Sequence, residues 1–301
     1  MQKFYKDLPV LITGGAGFIG SYIVEKLVSL GAKVTIIDDL SSGNLKNLDS
    51  VKGNFNFICK SITDMDACLQ ATYGQKVIFH LAAFISVPES IAKPDICHKI
   101  NVDGTFNILE AARINKIERL VFSSSAATYS PTTAVCKEDM APDPQSPYGT
   151  TKLIGEYYFK QYATNFGLNT VVLRYFNVFG DRQNPNGAYA AVVAKFTDSM
   201  LNNKPITIFG DGLQTRDFVP VEYVADANLT VAMLDKSLMN GQVFNVGTGK
   251  SVTLLDLVAM LKEKYPNYDQ KLQFKPARDG DIKYSQADCS KYQILNIWLK
   301  I

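Results

Sequence analysis

The stretch Val10-Leu11-Ile12-Thr13-Gly14-Gly15-Ala16-Gly17-Phe18-Ile19-Gly20 decides the fold. Val10-Leu11-Ile12 is a short continuous apolar run, the pattern of a strand buried on both faces. Gly15, Gly17 and Gly20 satisfy G-x-G-x-x-G, and Gly14 adds a second register, G-x-x-G-x-x-G. Glycines at such a turn let the backbone approach a pyrophosphate at a helix N-terminus, where free amides and the helix dipole favour an anion. Alone the motif is weak; between a strand and a helix it has the context that gives it meaning. The helix is predicted from Ile23, Leu27 and Leu30 at helical spacing, with Gly31 just past its end. Lys33-Val34-Thr35-Ile36-Ile37 is the next strand and runs into Asp38-Asp39, which completes a βαβ unit. Asp38 lies 21 residues after Gly17. A carboxylate there suits the two hydroxyls of an adenosine ribose and repels a 2′-phosphate, so the expected cofactor is NAD rather than NADP.

The alternation continues outward from this unit. Strands are predicted at Phe55–Cys59, Val77–Leu81, Leu120–Phe122 and Thr170–Tyr175. Helices are predicted at Met65–Ala71, at Val102–Ala112 with Val102, Phe106 and Leu109 on one side, and from Tyr148 to about Phe166. Alternating strands and helices imply an α/β fold, a Rossmann-type doubly wound parallel sheet covered on both faces. After Asn177 the texture changes. Gly180 to Gly187 is a polar loop, and mixed short elements follow, among them a helix with Leu254, Leu257, Val258 and Leu261 at helical spacing. Phe218–Val221 and Val243–Val246 look like segments returning to the first domain. The expected division is an NAD-binding domain of residues 1–178 and 213–246, and a smaller mixed α/β substrate-binding domain of residues 179–212 and 247–301.

Composition limits the function. The chain has 301 residues, 47% hydrophobic and 20% charged, with a net charge of +2. That is an ordinary globular composition, too weakly charged to argue for a nucleic-acid or membrane partner. Five scattered cysteines without CxxC spacing, and two histidines in no cluster with them, exclude a recognisable metal site and fit a reducing, cytoplasmic compartment. No apolar run approaches membrane-spanning length.

The chemistry is expected around Ser146-Pro147-Tyr148-Gly149-Thr150-Thr151-Lys152. Ser146 reads as an N-cap and Pro147 as the first helical residue, which puts Tyr148 and Lys152 one turn apart on one face. A nearby ammonium and the positive end of the helix dipole both favour a phenolate. Acting as a base near neutrality requires a fall of roughly three units from a tyrosine's ordinary ~10. Tyr and Lys four apart are common on helices, so the pair decides nothing alone. Ser123-Ser124-Ser125 closes a buried strand at the edge where open α/β sheets bind ligands. His80 ends another strand and reads as a packed histidine, since nothing pairs it with a nucleophile. Arg216 and Arg278 are candidate phosphate clamps, a guanidinium matching phosphate geometry.

Taken together, Thr13 to Gly20, His80-Leu81-Ala82-Ala83, Ser123 to Tyr129, Tyr148-x-x-x-Lys152 and Arg174-Tyr175-Phe176-Asn177 come in an order and spacing that resembles the extended short-chain dehydrogenase/reductase family, specifically its nucleotide-sugar epimerases. The resemblance runs from about residue 8 to about residue 290. Ser86-Val87-Pro88-Glu89-Ser90 and Asn177 to Tyr189 look like the subgroup of UDP-N-acetylglucosamine and UDP-glucose 4-epimerases. The resemblance implies an NAD-dependent isomerase inverting C4 of a UDP-hexose through a 4-keto intermediate, in the setting of polysaccharide biosynthesis. It implies Tyr148 as general base, Lys152 on the nicotinamide ribose and lowering the Tyr148 pKa, and Ser125 on the sugar hydroxyl. Cofactor contacts are implied for Gly14, Gly17, Phe18, Ile19, Asp38, Ser61, Ile62, Leu81, Ala82, Ala83, Asn101, Ser123, Tyr148, Lys152 and Tyr175. Substrate contacts are implied for Ser86, Ser125, Asn177, Ala191, Arg216, Arg278 and Ser285. No metal is expected. A homodimer is implied through the helices around Val102–Ala112 and Tyr148–Phe166.

The chain departs from the family in places. Ser61 stands where an acid often bonds the adenine amine, Ser130 where glycine is usual, and Asp39 where Asn is common. It ends at Ile301, earlier than most relatives, so a missing final helix or a shortened sequence is expected. A dehydratase or decarboxylase of the same fold is the first alternative, but it needs an extra acid or base just after the strand-end serine, where Ala126 and Ala127 stand. A non-catalytic NAD-sensing protein is the second, and such proteins commonly lose the Tyr or the Lys. In the family, the position seven residues after the second phosphate-binding Arg walls off the sugar's C2 side. Counting from Arg278 gives Ser285, small enough to admit an N-acetyl group, so UDP-GlcNAc/UDP-GalNAc are the expected substrates, with UDP-Glc/UDP-Gal as a second pair.

Overall fold

The structure is a computed structural model that describes residues 1–183, 192–277 and 282–298. Seven strands form one sheet: β1 (Pro9–Thr13), β2 (Lys33–Ile37), β3 (Phe55–Ile58), β4 (Val77–His80), β5 (Arg119–Ser125), β6 (Thr170–Tyr175) and β7 (Asn240–Val246). Their order is β7-β6-β5-β4-β1-β2-β3, and every neighbouring pair is parallel. The chain winds outward from β1 to β3, crosses back to β4 on the other side of β1, and winds outward again. The switch point between β1 and β4 is where a doubly wound sheet opens a crevice at its carboxyl edge.

Side chains alternate across each strand, so the central strands feed two cores. Val10, Ile12, Val121, Val171 and Leu173 enter one core, packed with helices Phe18–Ser29 and Val221–Ala232. Leu11, Ile78, Leu120, Phe122 and Val172 enter the other, under helices Met65–Thr72, Gly104–Ile114 and Pro147–Phe166. Burial on both faces is why these strands read as unbroken apolar runs.

A separate apolar cluster of Phe196, Met200, Ile206, Ile208, Leu254, Leu257, Val258 and Tyr268 holds the later segments together. Its helix Leu254–Lys264 starts at a capping box between Thr253 and Asp256. Val243–Val246 returns to the main sheet as part of β7, whereas Phe218–Pro220 pairs with Asn177–Phe179 in a two-stranded sheet beside it.

Three expectations need correction. The strand predicted as Leu120–Phe122 continues through Ser125, so all three serines belong to β5. The helix predicted from Val102 begins at Gly104, after a π-helical turn at Lys99–Asp103. That wider turn resets the helix face, and Phe106, expected beside Val102 and Leu109, is instead 43% exposed. A further helix spans Ser290–Trp298.

Candidate active site

The turn between β1 and the Phe18–Ser29 helix is fixed by close approaches. Gly14 has φ +71°, and a Cβ on it would stand 2.8 Å from the Ala82 amide nitrogen of the β4 segment. A Cβ on Gly20 would stand 2.1 Å from the Gly14 carbonyl. Only glycine allows turn, helix and β4 to meet so closely. Gly17 is the N-cap and no side chain caps the helix. Its first-turn amides, Phe18 and Ile19 among them, therefore face the crevice without an intrahelical acceptor. Thr13 ties the two sides of the switch point together: its hydroxyl accepts from the Leu81 and Ala82 amides at 3.1 and 3.0 Å. Ala83 follows at the same edge, partly exposed.

Asp38 is buried at the end of β2. Its Oδ2 accepts from the Ala16 amide at 2.9 Å and its Oδ1 from the Leu40 amide at 2.8 Å. Burial pushes its pKa up, the two amide bonds hold it down, and the neighbouring Asp39 adds a push upward. The bonded carboxylate keeps lone pairs for further donors such as ribose hydroxyls. An uncapped helix start next to such a carboxylate suits a dinucleotide, and the residues present fit NAD. Ser61 accepts from Thr63, and Ile62 lies inside the second core.

The catalytic candidates are brought together at the carboxyl edge of β5. The Ser146 hydroxyl caps the Pro147–Phe166 helix by accepting from the Gly149 amide at 3.1 Å, with Pro147 at its start, as predicted. A Cβ on Gly149 would stand 2.3 Å from the Ala127 carbonyl, so glycine there lets the helix start sit against the turn after Ser125. The Tyr148 amide donates to the Ser90 hydroxyl at 3.1 Å, and Ser125 is near enough to its phenol to pull the phenol's pKa down. Lys152, one turn along, is buried and donates to the Ser123 carbonyl at 2.8 Å. Its ammonium lies 5.9 Å from the centre of the Tyr148 ring. The Ser123 hydroxyl meets the Tyr175 hydroxyl at 2.9 Å, and Tyr175 in turn bonds Asn228.

One electrostatic expectation is reversed. Burial pushes the Tyr148 pKa up; Ser125 opposes this, and the Cys97 sulfur adds to the rise. Burial also lowers Lys152 to about 8. In the protein alone desolvation is the largest influence on both groups.

His80 is a structural residue, as expected. Its Nδ1 meets the Thr13 hydroxyl at 2.7 Å and its Nε2 the Thr105 hydroxyl at 3.0 Å, and burial drops its pKa to about 3. Asn101 sits in the π turn and is turned toward the protein. It accepts from the Phe84 amide at 2.7 Å and donates to the Phe84 carbonyl and the Thr151 hydroxyl, both at 3.0 Å.

Of the substrate candidates, Ser86 caps the Val87–Ala92 helix by accepting from Glu89. Asn177 lies on the short strand paired with Phe218–Pro220, Arg216 on a two-residue strand paired with Val252–Thr253, and Ser285 is partly buried. Ala191 and Arg278 lie outside the described residues. Sequence reading missed Glu156, which continues the Tyr148–Lys152 stripe by one turn. It is buried, accepts from Ser124 at 2.5 Å, and forms a bidentate pair with buried Arg174 at 2.9 and 2.7 Å. The spacing 148, 152, 156 was the available signal. Among the described residues no group of His, Cys, Asp or Glu could hold a metal ion, and no helix is long and apolar enough to cross a membrane.

The chain is 39% identical over 289 residues to a putative UDP-glucose 4-epimerase of Methanocaldococcus jannaschii, covering 95% of this chain and 92% of that one. It superposes on the UDP-N-acetylglucosamine 4-epimerase of Methanobrevibacter ruminantium M1, solved with UDP-N-acetylmuramic acid, with TM-score 0.92, 40% identity and coverage of 96% and 92%. It superposes on the UDP-glucose 4-epimerase of Thermotoga maritima, solved with UDP-glucose, with TM-score 0.91, 38% identity and coverage of 96% and 93%. Residues 10–247 match the profile of the NAD dependent epimerase/dehydratase family. That span runs from β1 through β7 and carries both the glycine turn and the Tyr148 helix, so the chain belongs to this family.

Proposed function

We propose that the chain inverts C4 of a UDP-hexose with NAD as resident cofactor, accepting UDP-GlcNAc/UDP-GalNAc and, as a second pair, UDP-Glc/UDP-Gal. The observation that carries this is buried Lys152, bonded to the Ser123 carbonyl and 5.9 Å from the Tyr148 ring centre, at the sheet edge that also holds an uncapped glycine turn. Gly14, Gly17, Phe18, Ile19 and Asp38 would hold the cofactor's pyrophosphate and adenosine side. Ser123, Lys152 and Tyr175 would line the nicotinamide side. NAD bound there supplies the acceptor for the C4 hydride and its donor for return to the opposite face.

Tyr148 takes the C4 hydroxyl proton and gives it back, and Ser125 holds that hydroxyl in line with the phenol. Burial leaves Tyr148 protonated in the protein alone, so the positive charge of Lys152 is needed to favour the phenolate. The 4-keto sugar must turn over about its bond to the diphosphate, which requires UDP held firmly and the sugar loosely. Asn177, Arg216 and Arg278 are suited to the first task, while Ser86 and Ser285 leave space for the second. Decarboxylation or dehydration would need a proton-transferring group where Ala126 and Ala127 form a short turn.

The same reading divides the chain into a cofactor domain, residues 1–178 and 213–246, and a sugar-nucleotide domain, residues 179–212 and 247–301. It makes the protein a cytoplasmic homodimer, supported by five free thiols and by Phe106, Ile114 and Phe166 exposed on the helices expected to pair. Incubation with UDP-GlcNAc, UDP-Glc and UDP-GlcA, followed by separation of products, tests the function. Appearance of UDP-GalNAc supports it; a 4-keto dehydrated or decarboxylated product would overturn it.

A further inference from the structure

Asp217 stands out among the groups that the proposed chemistry does not use. It is a carboxylate at 0% exposure, and among the described residues no cation is one of its hydrogen-bond partners. Its Oδ1 accepts from the Thr248 amide at 2.8 Å and the Thr248 hydroxyl at 2.7 Å. Its Oδ2 accepts from the Gly249 amide at 3.0 Å and the Ala287 amide at 3.1 Å. Four donors from two distant segments are needed to hold a charge out of water. A Cβ on Gly247 would stand 2.8 Å from the Asp217 Oδ2 and 2.8 Å from the Ala287 Cβ, so the three segments converge on one point.

Three candidate substrate residues, Asn177, Arg216 and Ser285, are tied to that point. Arg216 is the preceding residue. Asn177 donates its amide to the Asp217 carbonyl at 3.0 Å. Ser285 is two residues before Ala287, on a segment also held by Gln286, which donates to the Gly249 carbonyl at 2.9 Å, and by the Thr215 amide, which donates to the Lys283 carbonyl at 2.9 Å. We propose that Asp217 is the positioning residue that assembles the sugar-nucleotide subsite, setting the diphosphate side and the wall beside the sugar's C2 relative to one another. The inference rests on the proposed UDP-hexose reading. Asp217 touches no substrate itself; it acts through Arg216, Asn177 and Ser285.

The test uses the holoenzyme. Asp217→Asn replaces an acceptor oxygen with a donor facing amide donors. Thr248→Val, at an exposed residue, keeps the side chain's shape and removes the hydroxyl that donates to Asp217 and accepts from the Lys250 amide at 3.2 Å. The expected result for Asp217→Asn is a rise in KM for the UDP-sugar of about tenfold or more, as follows from losing charge-assisted bonds at the subsite. Retained NAD should be unchanged, and the ratio of kcat/KM for the acetylated and plain pairs should shift. Thr248→Val should move KM and the ratio the same way, by less. Equal losses on both sugar pairs together with loss of NAD would mark a general structural defect and overturn the proposal, as would unchanged KM in both variants. If Asp217→Asn does not fold, Thr248→Val decides alone. If the wild type neither binds UDP nor converts UDP-hexoses, the proposed function fails rather than this inference.

Discussion

Acid should destabilise this protein through His80, by an amount the structure allows to be worked out. The ring joins the ends of β1 and the Gly104–Ile114 helix through the Thr13 and Thr105 hydroxyls, and burial drops its pKa from 6.5 to about 3. A depressed base binds fewer protons folded than unfolded. Between the two values the unfolded chain therefore takes up the extra proton, and stability falls as pH falls through 6.5 toward 3. At pH 7 the effect is about 0.2 kcal/mol, and at pH 5 about 2 kcal/mol, from about 1.36 kcal/mol per unit of difference. The ring is wholly buried, so solvent screening does not reduce the figure. Urea unfolding of wild type and of His80→Gln at about pH 7 and pH 5 isolates this group, because other titrating groups are common to both proteins. The wild type should lose about 2 kcal/mol more than the variant on acidification. Equal losses would mean that His80 exchanges protons freely in the folded state, and the account of it as a neutral clasp at the switch point would be wrong.

Tyr148→Phe should reduce turnover by about a thousandfold or more, the scale of a lost general acid-base group, while retaining NAD; near-normal activity in a product assay would refute its role. Protein stripped of cofactor should bind NAD over NADP by about two orders of magnitude, since buried Asp38 meets a 2′-phosphate as a like charge, and calorimetric titration with both nucleotides checks this. Ser285→Tyr should suppress conversion of UDP-GlcNAc and spare UDP-Glc; equal loss on both would remove Ser285 from the sugar wall. Glu156→Ala leaves buried Arg174 without its bidentate partner, which should lower unfolding stability by about 3–5 kcal/mol, and a change below about 1 kcal/mol in urea titration would show that the pair contributes little.

What could be read in the sequence, and what could not, follows the range of the interactions involved. The Gly14–Gly20 turn, the Ser146 cap and the Tyr148–Lys152 stripe are each made within one or two helical turns, so spacing alone locates them. Their chemistry was less legible. A lysine four residues from a tyrosine predicts a lowered phenol pKa, yet burial outweighs it, and burial is a property of the whole sheet and its covering helices. The π turn at Lys99–Asp103 adds residues to one turn of an otherwise ordinary pattern, so Phe106 was assigned to the wrong face. Glu156 looks like a solvated helix charge until its partner, Arg174 on β6, is placed across from it. Asp217 is the extreme case: its donors lie 31 to 70 residues away, and no local rule joins them. The catalytic half of the site is thus built from local geometry on one strand and one helix, whereas the described substrate candidates Asn177, Arg216 and Ser285 come from separate segments that meet near one buried carboxylate. If Asp217 sets that half as proposed, single changes in its donors should alter sugar range while leaving the Tyr148 chemistry intact. Specificity in this chain could then change by substitutions far in sequence from any residue that touches the sugar.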